Sequence, residues 1–383
     1  MPDRVDVVIV GAGPAGCRAA ISLTRRGARV ALVDGSHPRE KPCGGGITSR
    51  ALALVRDAID AERLSAVRID TVGFAHRADA MRMPIEPSRL LIVSRRAFDG
   101  AMLASALDAG ATLRASRATD VRREGPGWVV STREGEIAAD WLLGADGPTS
   151  LVRRRVSAPF ARADLSIATG YFVRKRTSTA VHIALEADPP GYLWSFPRPD
   201  HLAVGVCAQA DDTTPGPLRE LAGAWITAHI SGADAPSLDA YSWPIPSLRE
   251  ATIAREVPAG EGWMLLGDAA GLVDPITREG IYFALISGAL AADALGGADP
   301  AGTYARRLRA DVYPELSRAA RLKARFFRPH FMGLLVRALR RSPRIRVIMA
   351  DLIAGDQPYR GLKRRLLGTL EWKLMIELLR ARA

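Results

Sequence analysis

The feature that most restricts this chain is Gly11-Ala12-Gly13-Pro14-Ala15-Gly16, because of what stands on either side of it. The β-branched run in Val5–Val10 before it reads as a parallel strand buried on both faces. Residues 17–27 after it read as a helix with alanines on its packing face and Gly27 at its stop. A second strand, Ala28 to Val33, then ends at Asp34. Strand, glycine turn, helix, strand and terminal acid make a dinucleotide-binding βαβ unit. In such a unit Gly11, Gly13, Ala15 and Gly16 let a pyrophosphate approach backbone N–H groups at the helix N-terminus, and Asp34 holds a ribose hydroxyl. NAD and FAD share the ADP half, so the unit leaves both open.

Beyond it, the segment from Leu90 to Ser116 reads as strand, helix and strand, and Trp141–Gly144 as a buried strand running into Ala145-Asp146-Gly147. From about 156 to 254 the texture changes to short alternating strands between Pro- and Gly-rich turns, the pattern of an antiparallel sheet with one face covered. At Trp263 a buried strand returns, followed by Gly267-Asp268 and an alanine-rich helix. The chain therefore leaves its nucleotide domain and comes back to it. The expected division is 1–65, 88–155 and 255–300 for nucleotide binding, 66–87 and 156–254 for a substrate domain, and 301–383 for a helical C-terminal segment.

Charge narrows the partners. Residues 301–383 carry 20 Lys and Arg against 6 Asp and Glu, a net +14 in a chain whose total is +12, so residues 1–300 are left at −2. A basic tail on a neutral body is not the footprint of a nucleic-acid binder; an anionic partner would meet the tail alone. Three cysteines, Cys17, Cys43 and Cys207, form neither a disulfide framework nor metal-ligand spacing, which points to a reducing cytoplasm and no metal. The fingerprint begins within about ten residues of the start, leaving no room for a cleaved signal, and no apolar run is long enough to span a bilayer.

Three landmarks together, the glycine fingerprint with Asp34, the Asp146-Gly147 segment and Gly267-Asp268, resemble the para-hydroxybenzoate hydroxylase fold of FAD enzymes. Within that group Pro38-Arg39-Glu40-Lys41-Pro42-Cys43-Gly44-Gly45-Gly46, the stretch Gly191-Tyr192-Leu193-Trp194-Ser195-Phe196-Pro197 and the tail segment 355–367 are similar to the geranylgeranyl reductase family. One departure is Arg278-Glu279-Gly280, where that family more often has Gly before Glu. The resemblance implies an α/β fold: a Rossmann-like FAD-binding domain, an inserted antiparallel-sheet substrate domain and C-terminal helices.

It also implies site roles. Asp268 would accept a hydroxyl of the FAD ribityl chain, against the plainer reading of a helix N-cap. The helix starting at Gly280-Ile281 would point its N–H groups at the flavin. Arg95 resembles the family arginine that reaches the phosphates, a solvated charge being the alternative; Ala118 lies in the strand that borders the adenine in relatives. The Gly44-Gly45-Gly46 loop is expected to pass over the flavin ring, with Cys43 either a proton donor or a small filler. Tyr192, Trp194 and Phe196 recur at period two and so face one way, lining an apolar slot. His37 and the other five histidines read as structural or exposed.

The expected activity is saturation of C=C bonds in a prenyl chain by hydride from reduced FAD, with NADPH or a small redox protein as electron donor. The expected setting is cytoplasmic, with peripheral contact between the basic tail and an anionic membrane. Two rivals stay open: a flavin monooxygenase or halogenase on the same fold, and a basic binding protein whose FAD is structural.

Overall fold

The computed structural model describes residues 3–369 and 371, apart from 176, 231 and 233–237. The strand Asp3–Val10 is the centre of the largest sheet, its last four residues buried on both faces. Parallel neighbours Gly135–Gly144 and Val30–Val33 flank it, followed outward by Trp263–Leu265 on one side and Thr112–Arg114 on the other. The carboxyl ends of these strands therefore open on one edge, where Gly11, Ala145 and Leu266 succeed them, the position at which open α/β sheets bind ligands. An antiparallel extension, Ala118–Glu124 and Gly127–Thr132, continues from Gly135–Gly144.

Two helices cover this edge. Pro14–Thr24 buries Ala15, Ala19, Ala20 and Ile21, and Ile281–Ala294 lies directly against it. The approach is close because both surfaces are small: a Cβ on Gly288 would stand 2.4 Å from the Ala15 carbonyl oxygen. Ser287 Oγ completes the joint by accepting the Gly267 N–H at 3.0 Å, which fixes the residue before Asp268.

The second sheet has seven strands in the order Asp239–Pro246, Leu165–Arg174, His201–Gln209, Pro190–Pro197, Ala180–Ala187, Thr71–His76, Asp79–Pro84. It is not wholly antiparallel: Ala180–Ala187 pairs in parallel with Thr71–His76, the point at which the early segment joins the later one. One face is covered by the helix Pro215–His229 through Leu218, Ala222 and Ile226. A separate three-stranded sheet contains Gly46–Thr48, Leu90–Val93 and Ala66–Arg68, so residues 66–68 pair beside the nucleotide-binding edge and not with the second sheet.

The C-terminal segment forms the helices Tyr313–Phe326, Pro329–Arg341, Pro343–Ala354 and Leu362–Leu367. Phe327, Met332, Leu334 and Leu339 join Val72, Phe74, Met81 and Met83 in one buried cluster, which ties these helices to the second sheet. Burying each such side chain contributes roughly 1.5–3 kcal/mol, enough to hold a segment of high net charge against the body. Leu370 and residues 372–383 of the basic tail lie outside the described residues. No described helix is long and apolar enough to cross a membrane.

Candidate active site

One cavity of about 970 Å³ runs from the glycine turn, past residues 41–46, to the C-terminal helices. Its first end is polar. Gly13 caps the helix Pro14–Thr24 without a side-chain partner, so the first-turn N–H groups stay open. A Cβ on Gly13 would meet only His37 Nε2 at 3.7 Å and Lys41 Nζ at 3.9 Å, so the space before that turn is walled by cationic groups. Gly11 and Gly16 serve a different end. A Cβ on Gly11 would lie 2.3 Å from the Ala145 oxygen and one on Gly16 2.0 Å from the Gly11 oxygen, so these two glycines are demanded by the chain itself.

Asp34 accepts the Ala12 N–H at 2.9 Å, the Ser36 N–H at 2.7 Å and His37 Nδ1 at 2.8 Å. Burial alone would raise its carboxyl, but His37 and these N–H groups outweigh burial and hold it well below the usual range. His37 is structural and not exposed: its ring is buried between Asp34 and Asp99, with Nε2 at 3.4 Å from Asp99 Oδ2. Burial lowers His37 while the two carboxylates raise it, and the carboxylates win. Arg95 is buried and forks onto Asp99 at 3.0 and 2.9 Å, which excludes the solvated-charge reading. Burial pushes Asp99 up, and Arg95, His37 and Lys41 bring it down to about 2.

Asp268 has the opposite character. It faces the cavity, accepts no hydrogen bond among the described residues, and is pushed up by burial with only partial relief from Lys41 and Arg95. The short turn Gly267–Ala270 has no side-chain cap, so Asp268 is not spent as an N-cap. The helix Ile281–Ala294 likewise begins at Gly280 with no side-chain cap, and Gly280 and Ile281 both line the cavity. A free carboxylate, two open helix N-termini and a cationic wall are the donor set that suits a flavin dinucleotide. Ala118 is half-buried at the start of its strand and is not on the cavity wall; Ser116 and Arg117, just before it, pack on Gly35 beside Asp34.

The glycine loop lines the cavity and is closely packed by protein. What approaches its bare backbone is protein: a Cβ on Gly44 would fall 1.9 Å from the Phe196 ring, and one on Gly45, at φ +78°, would fall 2.2 Å from the Val93 oxygen. Gly46 is already in a strand. Cys43 lines the cavity beside Arg95, and its sulfur accepts the Gly45 N–H at 3.3 Å. Two residues passed over in the sequence hold this loop. Arg198, fully buried, pairs with Glu40 and donates to the Cys43 carbonyl, while Glu40 also accepts the Arg95 N–H at 3.0 Å and the Ser94 hydroxyl at 2.6 Å.

Tyr192, Trp194 and Phe196 all face the cavity, as their period requires. Tyr192 donates its hydroxyl to the Thr277 carbonyl at 2.6 Å, and burial raises its phenol far above the ordinary value, so it stays neutral and pins the loop before Gly280. Cys207 reaches the same wall, as do Trp243 and Ile245. The far wall is supplied by the C-terminal helices through Phe326, Phe331, Leu335, Met349 and Leu352. This contribution was hidden in the sequence because the apolar residues there are interleaved with arginines.

Residues 4–285 match the FAD binding domain family. The chain is a member of the geranylgeranyl reductase family of FAD-dependent oxidoreductases. It is 31% identical to the menaquinone reductase of Mycobacterium tuberculosis over 86% of both chains. It is 30% identical to the geranylgeranyl diphosphate reductase of Rhodobacter capsulatus, covering 76% of this chain and 75% of that one. Among solved structures, a geranylgeranyl bacteriochlorophyll reductase-like protein from Thermoplasma acidophilum superposes with a TM-score of 0.78 at 21% identity, covering 96% of this chain and 100% of the other. The fold of this family member is therefore the FAD-binding α/β fold, and its cofactor is FAD.

Proposed function

We propose that this flavoenzyme saturates C=C bonds in the prenyl chain of a lipid or isoprenoid. The supporting observation is the continuity of the cavity: the polar end that suits FAD opens without a break into a wall of Tyr192, Trp194, Phe196 and the apolar faces of the C-terminal helices. An isolated alkene offers no carbonyl for a donor to polarise, so catalysis depends on fixing a flexible hydrocarbon against the cofactor and excluding water. Aromatic and aliphatic side chains on every wall suit that task.

Reduced FAD supplies hydride chemistry in this setting. The chain holds the alkene, and a group at the cavity wall gives the proton to the second carbon. Cys43 is the residue we assign to that step, since its sulfur faces the cavity on a loop fixed by Arg198 and Glu40. Tyr192 and Trp194 shape the slot and orient the chain. No second nucleotide fold is visible among the described residues, so we assign the electrons to NADPH binding transiently or to a small redox protein. A long prenyl substrate resides in membranes, which places the enzyme at the cytoplasmic membrane face.

The test is anaerobic photoreduction of the holoprotein followed by prenyl diphosphates, prenylated quinones and aryl substrates, with flavin reoxidation and product mass recorded. Reoxidation by a prenyl compound with a gain of two hydrogens supports the reading. Reoxidation that needs oxygen and an aromatic substrate would identify a monooxygenase instead.

A further inference from the structure

The period-two series Tyr192, Trp194 and Phe196 has a fourth member that is not apolar, Arg198. It follows directly on the strand Pro190–Pro197 and is fully buried. Its backbone is pinned at the turn into the next strand: the N–H donates to the His201 carbonyl at 2.7 Å, and the carbonyl accepts the Thr177 hydroxyl at 3.4 Å. From that fixed base the side chain crosses to the glycine loop. The guanidinium pairs with the Glu40 carboxylate, and Nη2 donates to the Cys43 carbonyl, with the Lys41 carbonyl at 3.4 Å. Nε is left without an acceptor among the described residues.

Stability is a poor account of this arrangement. Burying a guanidinium is costly, and one carboxylate offsets that only in part when an N–H goes unpartnered, so an apolar side chain of similar volume would serve the core as well. What an apolar side chain cannot do is fix a carbonyl by a directional bond. The carbonyl fixed here belongs to Cys43, whose sulfur accepts the Gly45 N–H at 3.3 Å and which lines the cavity. Phe196, two residues earlier on the same face, packs on Gly44. The end of one strand therefore holds residues 43 and 44, while Tyr192 and Trp194 of that strand line the slot. Glu40 extends the link to the other side, accepting the Arg95 N–H and the Ser94 hydroxyl at the start of the helix Arg95–Asp108. The loop that carries the thiol is thus tied to the slot and to the cofactor end at once.

We propose that Arg198 is a positioning residue for the proton-transfer step: by joining the Cys43 carbonyl to Glu40 it holds the thiol at a set place relative to the strand that lines the slot. The inference rests on the assignment of Cys43 within the prenyl-reductase reading and deepens it. Arg198 does not itself line the cavity, so its effect passes through Cys43. A displacement of the reacting group by about 1 Å is enough to slow such a step about 100-fold.

The experiment measures anaerobic reoxidation of photoreduced holoprotein by geranylgeranyl diphosphate and, in parallel, by a prenylated quinone. Arg198→Lys keeps a charge for Glu40 but replaces the rigid fork with one ammonium on a flexible stem. Reoxidation at saturating alkene should slow roughly 10-fold, the worth of one charge-assisted hydrogen bond, with alkene affinity and FAD content unchanged. Arg198→Met combined with Glu40→Gln removes the ion pair as a unit and leaves an oxygen to accept from Arg95 and Ser94; it should slow the step about 100-fold. In a Cys43→Ala background neither change should slow it by more than about twofold further, because no thiol is left to misplace. Alkylation of Cys43 by iodoacetamide in the oxidised holoprotein, located by peptide mass, should be about 10-fold faster in both variants, since the loop opens at lower cost. Wild-type reoxidation and alkylation in the paired variant, or equal slowing with and without the thiol, overturns the proposal. If no prenyl compound reoxidises the flavin while alkylation responds to Arg198, the reductase reading fails and the positioning role stands. If prenyl compounds reoxidise it and the paired variant follows wild type, the positioning role fails alone.

Discussion

The two ends of the cavity solve opposite problems. At the cofactor end nearly every charge is matched inside the protein: Asp34 by His37, Asp99 by Arg95, Glu40 by Arg198. The exceptions among the described residues include Asp268 and Lys41, which face the cavity without an ion pair. At the other end the wall is largely apolar, and the cations on it without an ion pair among the described residues are Arg278, Arg325 and Lys363. A rigid, pre-paired cradle suits a ligand that stays bound, because ordering is completed before binding. A largely apolar slot with few unmatched charges suits a ligand that enters, reacts and leaves, since few polar contacts need to be broken on release.

The sharpest way to break this contrast is at the glycine turn. Gly16→Ala puts a Cβ 2.0 Å from the Gly11 oxygen, a backbone atom that cannot give way, so the variant should lose folded holoprotein, with destabilisation of roughly 3 kcal/mol or more. Gly13→Ala meets nothing closer than 3.7 Å and should leave the apoprotein melting near wild type while weakening FAD. Thermal melts of the two apoproteins and FAD titrations measure this. If Gly13→Ala destabilises the apoprotein as severely as Gly16→Ala, the turn is not a preformed cofactor cradle.

Next in size is the chemical step at the junction of the two ends. Cys43→Ala should retain FAD and accept electrons, but reduced flavin should reoxidise about 100-fold more slowly with the alkene substrate, the usual scale for losing a positioned acid. Cys43→Ser, whose hydroxyl can still accept the Gly45 N–H, separates loop support from proton delivery. Anaerobic stopped-flow reoxidation is the measurement, and wild-type rates in both variants would assign the proton to water.

Asp268 gives a smaller and oppositely signed effect in the two states. In the holoprotein Asp268→Asn should weaken FAD about 10- to 100-fold, the worth of a hydrogen bond to a charged acceptor. In the apoprotein the same change should stabilise. Burial raises the folded carboxyl above its unfolded value, so the wild-type group favours folding only while protonated, and it increasingly opposes folding as pH rises from about 3.9 towards the raised value. The apo variant should therefore melt higher at pH 7, with the advantage vanishing below pH ~4. A variant equally stable or weaker at neutral pH would mean that the carboxylate already has a partner.

These contrasts also explain what could be read from the sequence. The cradle was legible because it depends on spacing: glycines, a strand and a terminal acid are close in the chain. Tyr192, Trp194 and Phe196 were legible for the same reason, a period of two on one strand. Arg198, His37 and Glu40 were not, since each acts on a partner brought near only by folding, such as Glu40 with Arg198 across 158 positions. The packing of Gly44 on Phe196 was not legible, because a glycine reports close approach without naming what approaches, and Phe196 lies on another sheet. Arg278 was visible as a departure from the family pattern, but its buried nitrogens and left-handed backbone were not.

The smallest effect concerns how the substrate end meets its source. The C-terminal helices place Phe331, Leu335 and Met349 on the cavity and leave Arg341, Arg344, Lys363 and Arg364 exposed, with Val347 56% exposed among them. One layer of helix thus separates a basic outer face from the hydrocarbon interior. Such a layer can rest on an anionic bilayer while a prenyl chain passes into the slot behind it, and each cation contributes about 1 kcal/mol at low ionic strength before salt screens it. We expect the protein to sediment with anionic vesicles at low salt, to release at high salt, and to bind neutral vesicles weakly. Arg341 and Arg364 make no ion pair among the described residues and do not line the cavity, so replacing both with Gln removes positive charge from the outer face alone. The double variant should bind anionic vesicles roughly 20- to 30-fold more weakly, with unchanged FAD content and unchanged turnover of a detergent-dispersed substrate. Equal binding to neutral and anionic vesicles, or an unaltered double variant, would show that the charges only face water and that the prenyl chain reaches the slot by another face.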